Sequence, residues 1–155
     1  MKRSLLVVFC ALTVPSFGFF STTARAAATL GDALDLEDGT RLPLTWMIPE
    51  GTSAPARGLV ILQHGMMRHA KNMRALAQNL AEKNISVLLP DVTDAQFLDP
   101  LFPELFANAF SKKSAIPSGQ PLPQKILLAG FSAGARFLSH VAALLSSERH
   151  SLRGV

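Results

Sequence analysis

The sequence predicts an α/β fold: a mainly parallel β-sheet with helices on both faces. Three short apolar runs, LVILQHG, ISVLLPD and KILLAG, have the composition of strands buried on both sides. Each is followed by a segment whose apolar residues recur at helical spacing, and such alternation of strand and helix builds parallel sheets. No internal repeat or low-complexity tract interrupts the pattern.

The elements follow in chain order. Residues 1–26 read as a secretory signal peptide: Lys2 and Arg3 precede an apolar run from Leu5 to about Phe20, and small residues surround Ala24-Arg25-Ala26. Pro15 and Gly18 interrupt that run, which is shorter than the roughly 20 apolar residues a spanning helix needs, so no stable membrane span is expected after cleavage. Residues 27–155 make the domain. There, ALDLEDGTRLPLTWMIP alternates apolar and polar residues on both sides of Asp38-Gly39, which predicts a hairpin with a two-residue connection. After the turn-rich EGTSAPARG and the first buried strand, Met73, Leu76, Ala77, Leu80 and Ala81 mark a helix ending near Asn84. The second strand closes at Pro90. Leu98, Leu101, Phe102, Leu105, Phe106 and Ala109 then share a helical face that Pro100 and Pro103 break near its start. A Pro/Gly-rich loop, KKSAIPSGQPLPQ, leads to the third strand, and Phe137, Leu138, Val141, Leu144 and Leu145 mark a helix from about Ala133 to Ser147.

The chain has 155 residues, 48% hydrophobic and 17% charged, the composition of one ordinary globular domain. Loss of the signal removes Lys2, Arg3 and Arg25 with no acid, so the formal charge falls from +4 to +1. Lys112-Lys113 is then an isolated pair of the kind that lies on solvated surface, and nucleic acid is excluded as a partner class. Cys10 is the single cysteine and lies inside the signal, so the mature chain has no thiol for a disulfide, a thiolate nucleophile or a zinc cluster. No metal-ligand spacing appears and no cofactor is implied.

The stretch that carries chemistry is GFSAG, Gly130 to Gly134, at the junction of the third strand and its helix. In a parallel sheet such junctions gather backbone N–H groups and loops. A dinucleotide fingerprint needs glycine where Ser132 stands, and no Gly-Lys-Ser/Thr follows for a phosphate loop. The remaining readings are a helix-capping serine and the G-x-S-x-G nucleophile elbow, in which glycines spare neighbouring backbone and the serine Oγ stands above the sheet edge. A second motif agrees with the elbow. QHGMM, Gln63 to Met67, ends the first buried strand, and the tetrahedral oxyanion of acyl transfer needs two preorganised N–H donors. Ala133, after the nucleophile, and Met66, after His64-Gly65, are positioned in the chain to supply them.

With both motifs in this order, residues from about Leu30 to Val155 resemble the N-terminal part of an α/β-hydrolase of the serine esterase and lipase kind. The resemblance implies that the hairpin gives strands one and two, LVILQHG strand three, ISVLLPD strand four and KILLAG strand five, with LRGV beginning strand six. It implies a serine hydrolase acting on small ester-type substrates through an acyl-enzyme on Ser132. The alternative from another class is a non-catalytic α/β binding protein, or an inactive fragment, that keeps the elbow.

The sequence departs from the family at the triad, which runs Ser, then Asp or Glu, then His. After Ser132 the only acid is Glu148 and the only histidines are His140 and His150. At about 1.5 Å rise per residue, His140 lies about 12 Å along the helix from Ser132 and the other two lie beyond about 20 Å. His64 reads as shaping the oxyanion turn, and His69 is the sole substitute base to consider. The chain thus reads as the front part of a longer hydrolase, with the outer edge of KILLAG left unpaired and ILLAG exposed to aggregation. Phe97, Phe102, Phe106 and Phe110, with Met66 and Met67, are candidates for an apolar acyl pocket or for helix packing on the sheet.

The signal reading predicts a mature N-terminus at or just after Ala27 on a protein outside the cytoplasm. Intact-mass measurement of the exported product checks this; Met1 retained on a membrane-bound product contradicts it.

Overall fold

A computed structural model describes residues 4–7, 26–51 and 55–151. Strands β1 (Ser4–Val7), β2 (Ala27–Asp35), β3 (Arg41–Pro49), β4 (Leu59–Gln63), β5 (Ser86–Pro90) and β6 (Lys125–Gly130) form one sheet. Their spatial order is β1-β6-β4-β5-β3-β2. The pairs β4/β5, β4/β6 and β1/β6 are parallel, and β2/β3 and β3/β5 are antiparallel. Helices α1 (Arg74–Glu82), α2 (Asp94–Leu98), α3 (Phe102–Ser111) and α4 (Ala133–Ser151) fill the connections and the C-terminal end. The α/β architecture predicted from the apolar runs is therefore present.

Every residue of β4 and β5 is buried, and successive side chains enter different cores. Leu59, Ile61, Leu88, Ile126 and Leu128 join Trp46, Phe106 and Phe137 on the face covered by α3 and α4. Val60, Leu62, Val87 and Leu89 join Met47, Ala77 and Ala81 on the face covered by α1. Two cores on one sheet explain why the central strands read as unbroken apolar runs.

Local chemistry sets the element ends. Asn84 takes φ +64 and stops α1. Thr93 caps α2 by accepting from the Gln96 N–H, while the Gln96 side chain accepts from the Thr93 N–H at 2.8 Å. Pro100 falls in the break between α2 and α3, and Pro103 sits in the first turn of α3, where an N–H would have no intrahelical partner.

Four expectations meet a different outcome. The hairpin exists, but its connection is Glu37-Asp38-Gly39: Leu36 N–H donates to the Thr40 carbonyl at 2.8 Å, and Gly39 closes the turn at φ +84. A three-residue loop with glycine in the left-handed region satisfies the same Asp-Gly signal. The outer edge of β6 is paired in the full chain, because Ser4–Val7 lies parallel to it in the register Ser4↔Lys125 to Val7↔Leu128. That segment belongs to the apolar run read as a signal, and an extended apolar run satisfies the backbone groups of an open edge. Lys112 and Lys113 are not a free solvated pair: Lys112 Nζ is 2.7 Å from Glu37 Oε1, and Lys113 Nζ is 2.7 Å from Asp32 Oδ2. The last helix runs to Ser151, past the expected end, and the expected strand start at 152–155 lies outside the described residues.

Asp32 ties the hairpin to the end of α3. Burial alone raises its carboxyl pKa. The Lys113 ammonium, the Ala33 N–H and the Trp46 indole N–H outweigh this and hold it below the ordinary value of 3.8. A lowered folded-state pKa gives stability that is full above the unfolded value and fades as pH falls through the folded one. Asp32→Asn should therefore cost about 1–2 kcal/mol at neutral pH. Urea midpoints of parent and variant should converge below the ordinary aspartate value; a gap independent of pH contradicts the ion-pair account.

Candidate active site

The strand order reverses direction between β4 and β6. From β4 the chain crosses through α1 to β5 on one side, while β6, on the other side of β4, feeds α4 on the opposite face. Connections that diverge at adjacent parallel strand ends leave a crevice there. Gln63 pairs with Gly130 across this end, and the Phe131 N–H donates to the Gln63 carbonyl at 3.0 Å.

Ser132 sits on the two-residue turn from β6 to α4 with φ +53. A non-glycine residue in the left-handed region carries about 1–3 kcal/mol of strain, which the surroundings must hold in place. Three backbone bonds do so: Phe131 N–H to Gln63, Gly134 N–H to Phe131 at 3.0 Å, and Ala135 N–H to the Ser132 carbonyl at 3.0 Å. A capping serine adopts extended dihedrals and bonds the helix start through its side chain. Ser132 does neither: its residue is exposed and its hydroxyl makes no hydrogen bond to another described residue.

The flanking glycines are fixed by contact. A Cβ on Gly130 would lie 2.6 Å from the Ala135 nitrogen, and one on Gly134 would overlap the His64 carbonyl and lie 2.8 Å from the Gln63 carbonyl. The first turn of α4 thus presses directly on the end of β4, and only backbone without side chains fits.

Across the crevice, the turn after β4 is pinned from the β5–α2 connection. Met67, at φ +58, donates its N–H to Asp94 Oδ1 at 2.7 Å, and the Ala70 N–H donates to Asp91 Oδ1 at 3.0 Å. Met66 and Ala133, the two residues expected to supply oxyanion donors, line one depression of about 180 Å³. Phe97, Arg136, Phe137 and His140 also line it, with Asp99. Met67 is 85% exposed and stays outside. Of the phenylalanines named from sequence, Phe102, Phe106 and Phe110 are core residues that pack α3 on the sheet, and only Phe97 reaches the depression.

His64 is 1% exposed and its ring lies edge-on to Phe97 at 5.5 Å. Its Nδ1–H donates to the Gly65 carbonyl at 2.8 Å, since a carbonyl can only accept. Its Nε2 lies 3.7 Å from Asp91 Oδ1, beyond hydrogen-bond distance. His69 is exposed, and its backbone N–H donates to Asn72 Oδ1 at the start of the helical turn Ala70–Met73. No hydrogen bond joins Ser132 to His64, His69 or His140 among the described residues. The side chains of Glu148 and His150 lie outside them. Among the described residues no cluster of three metal-ligating side chains occurs.

Arg136 and His140 were not identified from sequence as lining residues of this depression. Their spacing from Ala133, three and seven residues along one helix, does place all three on one face.

No family model matches the sequence, and no curated protein sequence matches it either. Solved structures match in fold. Brefeldin A esterase, a bacterial homologue of human hormone-sensitive lipase, is 18% identical with a TM-score of 0.63, over 90% of this chain and 41% of that one. An arylesterase is 21% identical with a TM-score of 0.62, over 83% and 44%. A dienelactone hydrolase from Anabaena variabilis is 21% identical with a TM-score of 0.58, over 81% and 59%. The chain has the α/β-hydrolase fold, and the match spans 41% to 59% of these structures.

If the elbow depends on glycine contact, Gly134→Ala should lower stability by at least about 2–3 kcal/mol through overpacking. Gly31→Ala, which meets nothing within 4 Å, should lie close to the parent. Denaturant midpoints of the two variants check this; equal midpoints contradict it.

Proposed function

We propose that the chain carries the nucleophile and oxyanion half of a serine hydrolase for small carboxylic esters. The observation that carries the reading is Ser132 at φ +53 on an exposed strand-to-helix turn, beside a depression shared by Met66 and Ala133. In the proposed step Ser132 Oγ bonds to the ester carbonyl carbon, and the oxygen that gains charge is met by the Met66 and Ala133 N–H groups. The intermediate then breaks its bond to the alkoxide oxygen, which leaves as the alcohol with the proton that Oγ gave up through solvent, and an acyl group remains on Ser132. His64 keeps a structural role in this scheme: it is buried, its Nδ1–H holds the Gly65 carbonyl, and it makes no hydrogen bond to Ser132.

The proton on Ser132 Oγ needs an acceptor, and no described residue is placed to take it. An oxyanion site without its base and acid retains only residual catalysis. The same lack of a base is what favours the second reading, a non-catalytic α/β binding protein with an elbow-shaped turn. We further propose that the protein works outside the cytoplasm, on the strength of Lys2-Arg3 and the apolar run that follows.

A fluorophosphonate probe separates the two. The hydrolase reading expects slow, single-site labelling that peptide mass mapping places on Ser132 and that Ser132→Ala abolishes. It also expects p-nitrophenyl acetate to acylate the chain with little steady-state turnover. Labelling unaffected by Ser132→Ala, or no labelling at all, favours the binding protein.

A further inference from the structure

At the other end of the sheet, about 17 Å from the elbow at 3.3 Å per strand residue, lies a larger cavity of about 510 Å³. It opens where the parallel strands begin: Arg57 precedes β4, Ser86 is the first residue of β5 and Lys125 the first of β6. Ile116, Pro121 and Leu122, from the proline-rich loop before β6, make an apolar wall. No aspartate or glutamate lines it, and neither Arg57 nor Lys125 has an ion-pair partner among the described residues.

The floor holds an unusual group. Ser86 is 0% exposed, its residue sits on the α3/α4 side of the sheet beneath the loop, and its hydroxyl has no hydrogen-bond partner. A buried hydroxyl without a partner costs about 1–3 kcal/mol, whereas alanine there would cost nothing in hydrogen bonding. A cavity of this size with apolar walls and few polar groups has the form of a small-molecule site.

We propose that this cavity binds a small aromatic carboxylate bearing a second oxygen at its far end. The carboxylate meets Arg57 and Lys125 at the mouth, the ring lies against Ile116 and Leu122, and the far oxygen pairs with the Ser86 hydroxyl. The site is independent of Ser132 and of any ester chemistry there.

Three probes test it on the 155-residue chain by fluorescence titration: 6-hydroxy-2-naphthoate, 2-naphthoate and 2-naphthol. The first should bind about three- to tenfold more tightly than the second, one hydrogen bond's worth. Ser86→Ala should erase that difference while leaving unliganded stability equal to or above the parent. Lys125→Gln should weaken both carboxylates about two- to fivefold and leave 2-naphthol unchanged. Backbone amide shifts of Arg57, Ser86 and Leu122 should move on titration while those of Phe131 to Ala133 stay still. Equal affinity of the three probes, a hydroxyl advantage that survives Ser86→Ala, shifts confined to the Ser132 turn, or no saturable binding each overturns the proposal.

Discussion

The structure depends on the approach of one backbone to another where β4 and β6 end together. The first turn of α4 leans on the Gln63 and His64 carbonyls through Gly134, and Gly130 leaves room for that turn to fold back on itself. This contact fixes the direction in which α4 leaves the sheet. It also forces Ser132, the second of the two residues between strand and helix, into the left-handed region. The strain of that conformation is small beside the burial on both faces of the sheet, so the packed cores can hold it.

Both cores act on this contact. The larger one clamps α4 through Phe137, Leu138 and Val141 against α3 and the sheet, which sets the helix that follows the serine. The smaller one seats α1 through Ala77 and Ala81, whose short side chains bring that helix close to the strands. Between them, Asp91 just after β5 and Asp94 at the start of α2 hold the turn that carries Met66. Three adjacent strand ends thus converge on one crevice, and the fold brings the Ser132 turn and the turn carrying Met66 to it without a long loop.

Much of this was legible in the sequence because it is local. Buried parallel strands have no polar face, so LVILQ, SVLLP and KILLAG stand out from the amphipathic helices between them. The tight strand-to-helix turn at Ser132 was legible because glycine at both flanks of a serine after a strand marks close backbone approach. The hairpin loop length was not, since Asp38-Gly39 suits either a two- or a three-residue turn and the cross-strand register decides. Lys113 with Asp32 was not, because the partners lie on separate elements and meet only in the folded chain. The pairing of Ser4–Val7 with β6 was hidden for a different reason: an apolar run fits an export segment and a sheet edge equally well. Arg136 and His140 were within reach of helical periodicity from Ala133, since all three line the depression beside Met66.

The backbone of Ser132 in an experimental crystal structure of the 155-residue chain tests the central claim most directly. The account predicts φ near +53°, with the Gly134 Cα packed on the Gln63 and His64 carbonyls and the hydroxyl free above the sheet edge. A negative φ with the Ser132 hydroxyl accepting an N–H from the start of α4 would make it a helix cap, and would contradict the elbow on which the proposed chemistry stands.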